Sequence, residues 1–380
     1  MRFAIIGAGA GVFRRHLAAL EQLREQIVAL VDMHTFPGAQ RAQALHCPFY
    51  EDYHEMLREV KPDMAVILTP PFLHASLTIA CLQAGCHVLV EKPMALHVME
   101  AEEMIATARA CQRLLGVVFQ QRLRPEVLAA KALLEAGQLG QLQHVEAMVS
   151  CPRPAAYYRA KKWRGTWAGE GGGVLMNQAP HSLDLLCYLV GMPVRAVAWT
   201  HRQLHAIEAE DSVQAMLEWP DGVPGSFAAS TAWTSGEVAE PASEQATFHL
   251  IGTAGSLRLC NGLLNVMRLD KEMQTFARAS LQPFPVAEPL SIPLPRSQGD
   301  HATVYRHFCA AIHGQTSLVV TGEAARQSLE LANGLLLSAH TGEQVVFPLD
   351  GARYAAFLAE RQRTSRSRTR SSSFVPQNVC

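Results

Sequence analysis

None of the nine cysteines forms a Cys-x-x-Cys pair. Neither a zinc ribbon nor a disulfide framework is indicated, and a reducing cytoplasm is the expected setting. The chain also lacks any apolar run near the ~18 residues that span a bilayer. Met1-Arg2 leads straight into Phe3-Ala-Ile-Ile6, too short for a secretory core, so this opening reads as a first strand. Strong net charge is missing too. The formal total is −1, and residues 361–380 carry five arginines and no acid, which leaves −6 on the remainder. A mildly acidic body argues against a nucleic-acid enzyme, and the Arg/Ser-rich tail is expected to be disordered. There is no internal repeat. His16, His46, His144 and His307 stand at no metal spacing, so no metal is expected.

What is present is a long alternation of strand and helix patterns in a 380-residue chain that is 49% hydrophobic. That length suits two domains. Arg2 to Ile6 is followed by Gly7-Ala-Gly-Ala-Gly-Val-Phe13 and then by a helical pattern through Leu17, Leu20 and Leu23. A glycine-rich turn between strand and helix brings backbone N–H groups to a pyrophosphate at the helix N-terminus. Gly7, Gly9, Gly11, Val12 and Phe13 are therefore the candidate cofactor loop, with Val12 where Gly or Ala is usual. The next strand ends in Asp32, about where a carboxylate accepts from the adenosine ribose hydroxyls and repels a 2′-phosphate. NAD is expected rather than NADP.

The alternation runs on to Leu114–Phe119, which predicts a doubly wound parallel sheet over residues 1–120. Its central stretch is Gly85-Cys-His-Val-Leu-Val-Glu-Lys-Pro-Met94. Val88, Leu89 and Val90 show no polar alternation and read as a strand buried on both faces. Glu91-Lys92-Pro93 then falls at its carboxyl end, where open α/β sheets bind ligands.

With these residues in view, the chain resembles the Gfo/Idh/MocA oxidoreductases, the glucose–fructose oxidoreductase and inositol dehydrogenase group. The likeness is carried by Gly7 to Val12, Thr69-Pro70 with His74, Glu91-Lys92-Pro93, Gln120 with Arg122, and Gly171-Gly-Gly-Val-Leu-Met-Asn-Gln-Ala-Pro-His181 with Asp184. It extends over most of residues 1–350. The resemblance implies that Lys92 and His181 lie beside the nicotinamide and that the Lys92–Pro93 bond is cis. It places Thr69, Pro70, His74, Glu91 and Gln120 around the cofactor, and Arg122 with Asn177 near the substrate. Three departures stand out: Val12 replaces the last fingerprint glycine, whose role passes to Gly11 by a one-residue shift; Pro71 stands where Asn is common; and Asn177 occupies a position often held by Asp.

Beyond Leu142 the style changes. Pro220-Asp-Gly222, Gly252-Thr-Ala-Gly255 and Asn261-Gly262 separate strand-like runs, so the neighbours are antiparallel. Residues 121–350 are expected to form a substrate-binding α+β domain, a mostly antiparallel open sheet with helices on one face. In the family the other face makes the oligomer interface, so a homodimer or homotetramer is expected. Between the two sheets, Tyr158, Trp163 and Arg164 offer aromatic faces and a donor that suit a sugar or polyol. Trp167 is as readily a packing residue.

The expected reaction is hydride transfer between nicotinamide and a secondary hydroxyl of a sugar, inositol or related polyol, by an NAD(P)-dependent dehydrogenase. A base must take the hydroxyl proton. His starts near 6.5, whereas Lys, near 10.4, must fall by roughly 3 units, about 4 kcal/mol. A nicotinamide cation about 6 Å away supplies about 2.8 kcal/mol at an effective dielectric of about 20. His181 is assigned as proton acceptor and Lys92 as the polarising group, with exchanged roles as the near alternative; Asp184 is a candidate to orient the imidazole. Two other readings remain: an NAD-dependent glycoside hydrolase using transient oxidation, and a non-enzymatic dinucleotide-responsive regulator. A regulator has no need for both Lys92 and His181. Neither membrane nor nucleic acid is an expected partner.

Overall fold

A computed structural model describes residues 1–234 and 245–371. The first sheet contains β1 (Arg2–Ile6), β2 (Gln26–Val31), β3 (Phe49–Tyr50), β4 (Met64–Ile67), β5 (His87–Val90) and β6 (Leu115–Val117). All are parallel, in the order β3-β2-β1-β4-β5-β6. The helices between them are α1 (Phe13–Leu23), α2 (Thr35–Ala44), α3 (Tyr53–Val60), α4 (His74–Gln83) and α5 (Val98–Ala110). Strands β4 and β5 are buried nearly throughout, as unbroken Met-Ala-Val-Ile and Val-Leu-Val runs require when helices cover both faces. The order reverses between β1 and β4, and the crevice beyond their carboxyl ends is where such sheets take ligands.

The second sheet has nine strands. They are β7 (Leu142–Ser150), β8 (Arg195–His201), β9 (Ser212–Glu218), β10 (Pro224–Ser230), β11 (Gln245–Gly252), β12 (Gly255–Cys260), β13 (Leu263–Leu269), β14 (Ala287–Pro289) and β15 (Val345–Val346). Every pairing is antiparallel except that of β7 with β10. The remaining helices are α6 (Pro125–Glu135), α7 (Ala155–Arg159), α8 (Val174–Asn177), α9 (Pro180–Val190), α10 (Met273–Ala279), α11 (His301–Ile312), α12 (Gly322–Thr341) and α13 (Gly351–Ser371). Helices α6, α9 and α12 cover one face. Trp199 and Met216 remain half exposed on the other. The expected fold class holds: a doubly wound parallel sheet, then a mostly antiparallel sheet with helices on one face.

Two assignments change. Helix α11 belongs by sequence position to the second domain, yet Tyr305 and Phe308 lie in one buried cluster with Phe3 and Phe13. Apolar surface on α11 matches the uncovered side of α1, so the chain returns to its first domain. The stretch expected to be disordered from Arg361 is helical as far as Ser371. Tyr354 and Leu358 are buried, and this anchor carries the helix on into its arginine-rich part. Residues 372–380 of that stretch lie outside the described residues.

Candidate active site

The nucleotide loop has the expected form. Gly7 sits at φ 98°, and a Cβ there would come within 2.9 Å of the Leu68 and Thr69 backbone. Gly9 donates its N–H to Asp32 Oδ2 at 2.7 Å, and His34 N–H binds Oδ1 at 2.9 Å. The carboxylate thus stands at the end of β2 beside the loop, as a ribose-binding acid must. Gly11 is exposed and a Cβ there would meet nothing within 4 Å. The idea that Gly11 takes over the missing third glycine is therefore corrected: no close packing is needed at that point. Val12 flanks α1 in helical conformation. Phe13 is buried, with the Arg41 guanidinium 4.7 Å above its ring; its side chain is core.

The second wall is the Glu91-Lys92-Pro93 turn. The Lys92–Pro93 peptide is cis, as the resemblance implied. Pro93 O and Thr69 O both face the buried ring of His74, at 2.8 Å from Nδ1 and 2.7 Å from Nε2. Neither carbonyl can donate, so the ring satisfies both only by donating from both nitrogens. Burial pulls this imidazole toward neutrality, while the two carbonyls pull the other way. His74 is thus a clamp between two loops rather than a cofactor ligand. Glu91 is engaged similarly, accepting from His16 Nε2 at 3.0 Å and from Lys92 N–H at 3.2 Å. Burial alone would raise its carboxyl, but the hydrogen bond and charge of His16, with Lys92 and His301, hold it at about 2. His16 is held in turn by Tyr305 OH at 2.7 Å.

Lys92 reaches across to the second domain. Its Nζ donates to Asn177 O at 2.5 Å, four residues before His181. The His181 ring packs edge-on against Phe119. Burial first, and the Lys92 charge next, lower it to about 3. Its Nδ1 is shielded and has no partner among the described residues, as are Thr69 Oγ1 and Gln120 Oε1. A buried polar atom left unpaired costs about 1–3 kcal/mol. Three such atoms, all on residues expected around the nicotinamide, are recovered when a ligand pairs them. A dinucleotide fits this chain: the glycine loop and Asp32 at one end, Thr69, Lys92 and Gln120 at the other.

Several assignments move. Asp184 does not orient His181; its two oxygens accept from Arg122 Nε at 2.7 Å and Nη2 at 2.6 Å, both residues being buried. The same pair withdraws Arg122 from the substrate. Tyr158 is also corrected: it is buried and its hydroxyl meets Thr231 Oγ1 at 2.8 Å. Its neighbour Tyr157, overlooked in the sequence, donates to Asn177 Oδ1 at 3.2 Å and carries the Arg164 guanidinium 3.8 Å above its ring. Successive residues on a helical turn point different ways, and sequence offers no phase for so short a helix. Trp163 packs on Gly169, where a Cβ would clash with it, and lies 5.5 Å from Arg164. Trp167 is buried against His340 and Phe357.

The second overlooked group is Glu170, just before the triple glycine. It is 1% exposed. It accepts from Gly165 N–H at 2.5 Å and from Asn177 Nδ2. Burial raises its carboxyl to about 7, against the pull of those donors, Lys92 and Arg164. Asn177 therefore has its backbone carbonyl and both side-chain polar atoms engaged, by Lys92, Glu170 and Tyr157. It positions the site and replaces the expected carboxylate with one supplied from seven residues upstream.

Comparison with known proteins bears on this geometry. Residues 1–119 match the model of an oxidoreductase family with an NAD-binding Rossmann fold. Residues 127–258 match that of a GFO/IDH/MocA C-terminal domain. The trans-1,2-dihydrobenzene-1,2-diol dehydrogenase of Mus musculus is 28% identical over 62% of this chain and 72% of its own. The D-glucoside 3-dehydrogenase of Escherichia coli is 30% identical over 51% of this chain and 55% of its own. The chain thus spans between 55% and 72% of these two relatives. Among solved structures, the WlbA dehydrogenase from Bordetella pertussis, in complex with NADH and UDP-GlcNAcA, superposes with a TM-score of 0.77 at 26% identity. That match covers 92% of this chain and 99% of the other.

Proposed function

Because the chain belongs to the GFO/IDH/MocA oxidoreductase family, we propose that it oxidises a secondary hydroxyl of a sugar, inositol or related polyol, with NAD as the hydride acceptor. The relatives named for diol and D-glucoside dehydrogenation support that substrate class. One observation carries the reading. The Lys92 amine, at the end of β5, reaches the Asn177 carbonyl, and its charge is the foremost one acting on His181. That contact supports a donor from one domain and an acceptor from the other facing one crevice.

The glycine loop, Asp32, Thr69 and Gln120 would hold NAD, which would supply the electrophilic carbon for the hydride. The chain's own residues handle the proton. His181 is neutral at physiological pH, so its unpaired Nδ1 can take a hydrogen bond from the reacting hydroxyl; burial and the Lys92 charge make the ring a weak base, and it takes the proton only as the hydride leaves. Lys92 keeps further N–H donors for the substrate oxygen, with one already spent on Asn177. Glu170 and Tyr157 hold Asn177, and through it the amine, in place. Beside Tyr157, Arg164 has a shielded Nε with no partner among the described residues, which suits a donor to a second hydroxyl.

Lys92→Ala and His181→Ala are each expected to cut kcat at least ~100-fold, the range of a lost acid–base group. NADH appearance on a polyol and sugar panel measures it. Near-native turnover in both variants would defeat the assignment. Cleavage of an aryl glycoside without net NADH would favour the hydrolase reading.

A further inference from the structure

At the first turn of α6 the helix layer opens over the sheet, leaving a cavity of about 550 Å³. Its walls include Arg124 and Glu126 from the start of α6, Leu185 from α9, Phe248 and Leu259 from the sheet, and Gly262 at the β12–β13 turn. The cavity lies on the side of α9 that carries His181 and begins one residue beyond Gln120, at Gln121. Leu185 lies one helical turn beyond His181 on the same side of α9, and Arg124 is close enough for its charge to bear on His181.

Two charged groups here have no hydrogen-bond or ion-pair partner among the described residues: the Arg124 guanidinium and the Glu126 carboxylate. Glu126 is only 8% exposed. Its Oε1 stands 3.8 Å from where a Cβ on Gly262 would be, and Gly262 is at φ 78°. The turn thus leaves room in front of that carboxylate. A carboxylate that opens on the cavity accepts from two hydroxyls, a guanidinium donates to several, and Phe248 with Leu259 gives an apolar floor for C–H surface. The opposite charges cancel, so a phosphate would meet a carboxylate as well as a cation. A neutral polyhydroxylated ring meets no such penalty. The volume is within the about 300–1,000 Å³ of whole small-molecule sites, and it comes in addition to the crevice at Lys92.

We propose that this cavity is a second subsite, which holds the second ring of a neutral disaccharide or glycoside while the first ring lies at Lys92 and His181. The role of the first ring rests on the dehydrogenase reading above; binding in the cavity does not.

The experiment is calorimetric titration of the NADH-saturated protein with cellobiose, maltose and sucrose and with their component hexoses. At least one disaccharide is expected to bind ~10-fold or more tighter than its hexoses, as charge-assisted hydrogen bonds imply. Glu126→Gln, which keeps the shape, and Ala246→Trp, which fills the cavity, should each abolish that advantage and leave hexose and NADH affinity unchanged. Equal affinity for disaccharide and hexose, no binding of either, or an advantage that survives both substitutions overturns the subsite. If the binding pattern appears but no sugar yields NADH, the subsite stands and the dehydrogenase reading falls.

Discussion

At the scale of single residues, the site depends on buried groups whose partners settle their protonation. Glu170 is the plainest case. Its carboxyl, at about 7 when folded, compares with about 4.3 in an open chain. Between those values the native state holds a proton that the unfolded state has released, so stability is full below the window and falls as pH rises through it. Glu170→Gln should flatten that decline by roughly 3 kcal/mol. Urea unfolding at pH 4.5 and 7.5 measures the difference, and identical pH slopes in native and variant would refute it. His74 is a second case. Its two carbonyl partners lie on the two loops that bound the crevice. His74→Asn keeps a donor to only one of them and should weaken NADH binding ~10-fold, one lost buried hydrogen bond. Fluorescence titration tests this; a dissociation constant within a factor of two of native would return His74 to an ordinary core role.

At the scale of elements, α13 braces the aromatic loop of the site. Phe357 packs against Trp167 and His340, Gln362 Nε2 donates to Trp167 O, and Ser365 Oγ donates to Glu208 at 2.6 Å. Glu208 also takes the Trp167 N–H at 3.4 Å. The loop carrying Arg164 and Glu170 thus leans on a helix some two hundred residues away in the chain. Phe357 is half-buried, so Phe357→Ala should cost roughly 2 kcal/mol, less than the about 3–5 of a fully buried ring. The melting temperature should fall, and KM for the sugar should rise several-fold with kcat little changed. A drop in kcat with KM unmoved would detach the helix from substrate binding.

At the scale of the whole molecule, the open face of the nine-stranded sheet has no cover among the described residues. Trp199 is 52% exposed and Met216 50%, on adjacent strands of that face. Apolar surface of this kind on a broad flat sheet marks an association site, and a second copy of the chain is the occupant we expect. Light scattering should give a dimer or tetramer for the native protein and a monomer for Trp199→Glu with Met216→Glu. A native monomer at micromolar concentration would sink this expectation. Among the described residues no helix is long and apolar enough to cross a membrane.

What the sequence determined by itself was whatever local pattern encodes. Uninterrupted apolar runs at residues 64–67 and 88–90 marked doubly covered strands, glycines marked the nucleotide turn, and tight-turn pairs marked the antiparallel sheet. Lys92 and His181 were legible because the motifs around them are contiguous. The tertiary structure alone decided which side chains meet. Arg122 and Asp184 are sixty-two residues apart in the chain yet neutralise each other, and Glu170 rather than residue 177 supplies the buried carboxylate. Tyr157 faces the site while Tyr158 faces the core, and α11 crosses back to the first domain. Those outcomes follow from the approach of elements remote in sequence. A buried polar group takes whichever partner packing brings within about 3 Å, and no local periodicity records that distance.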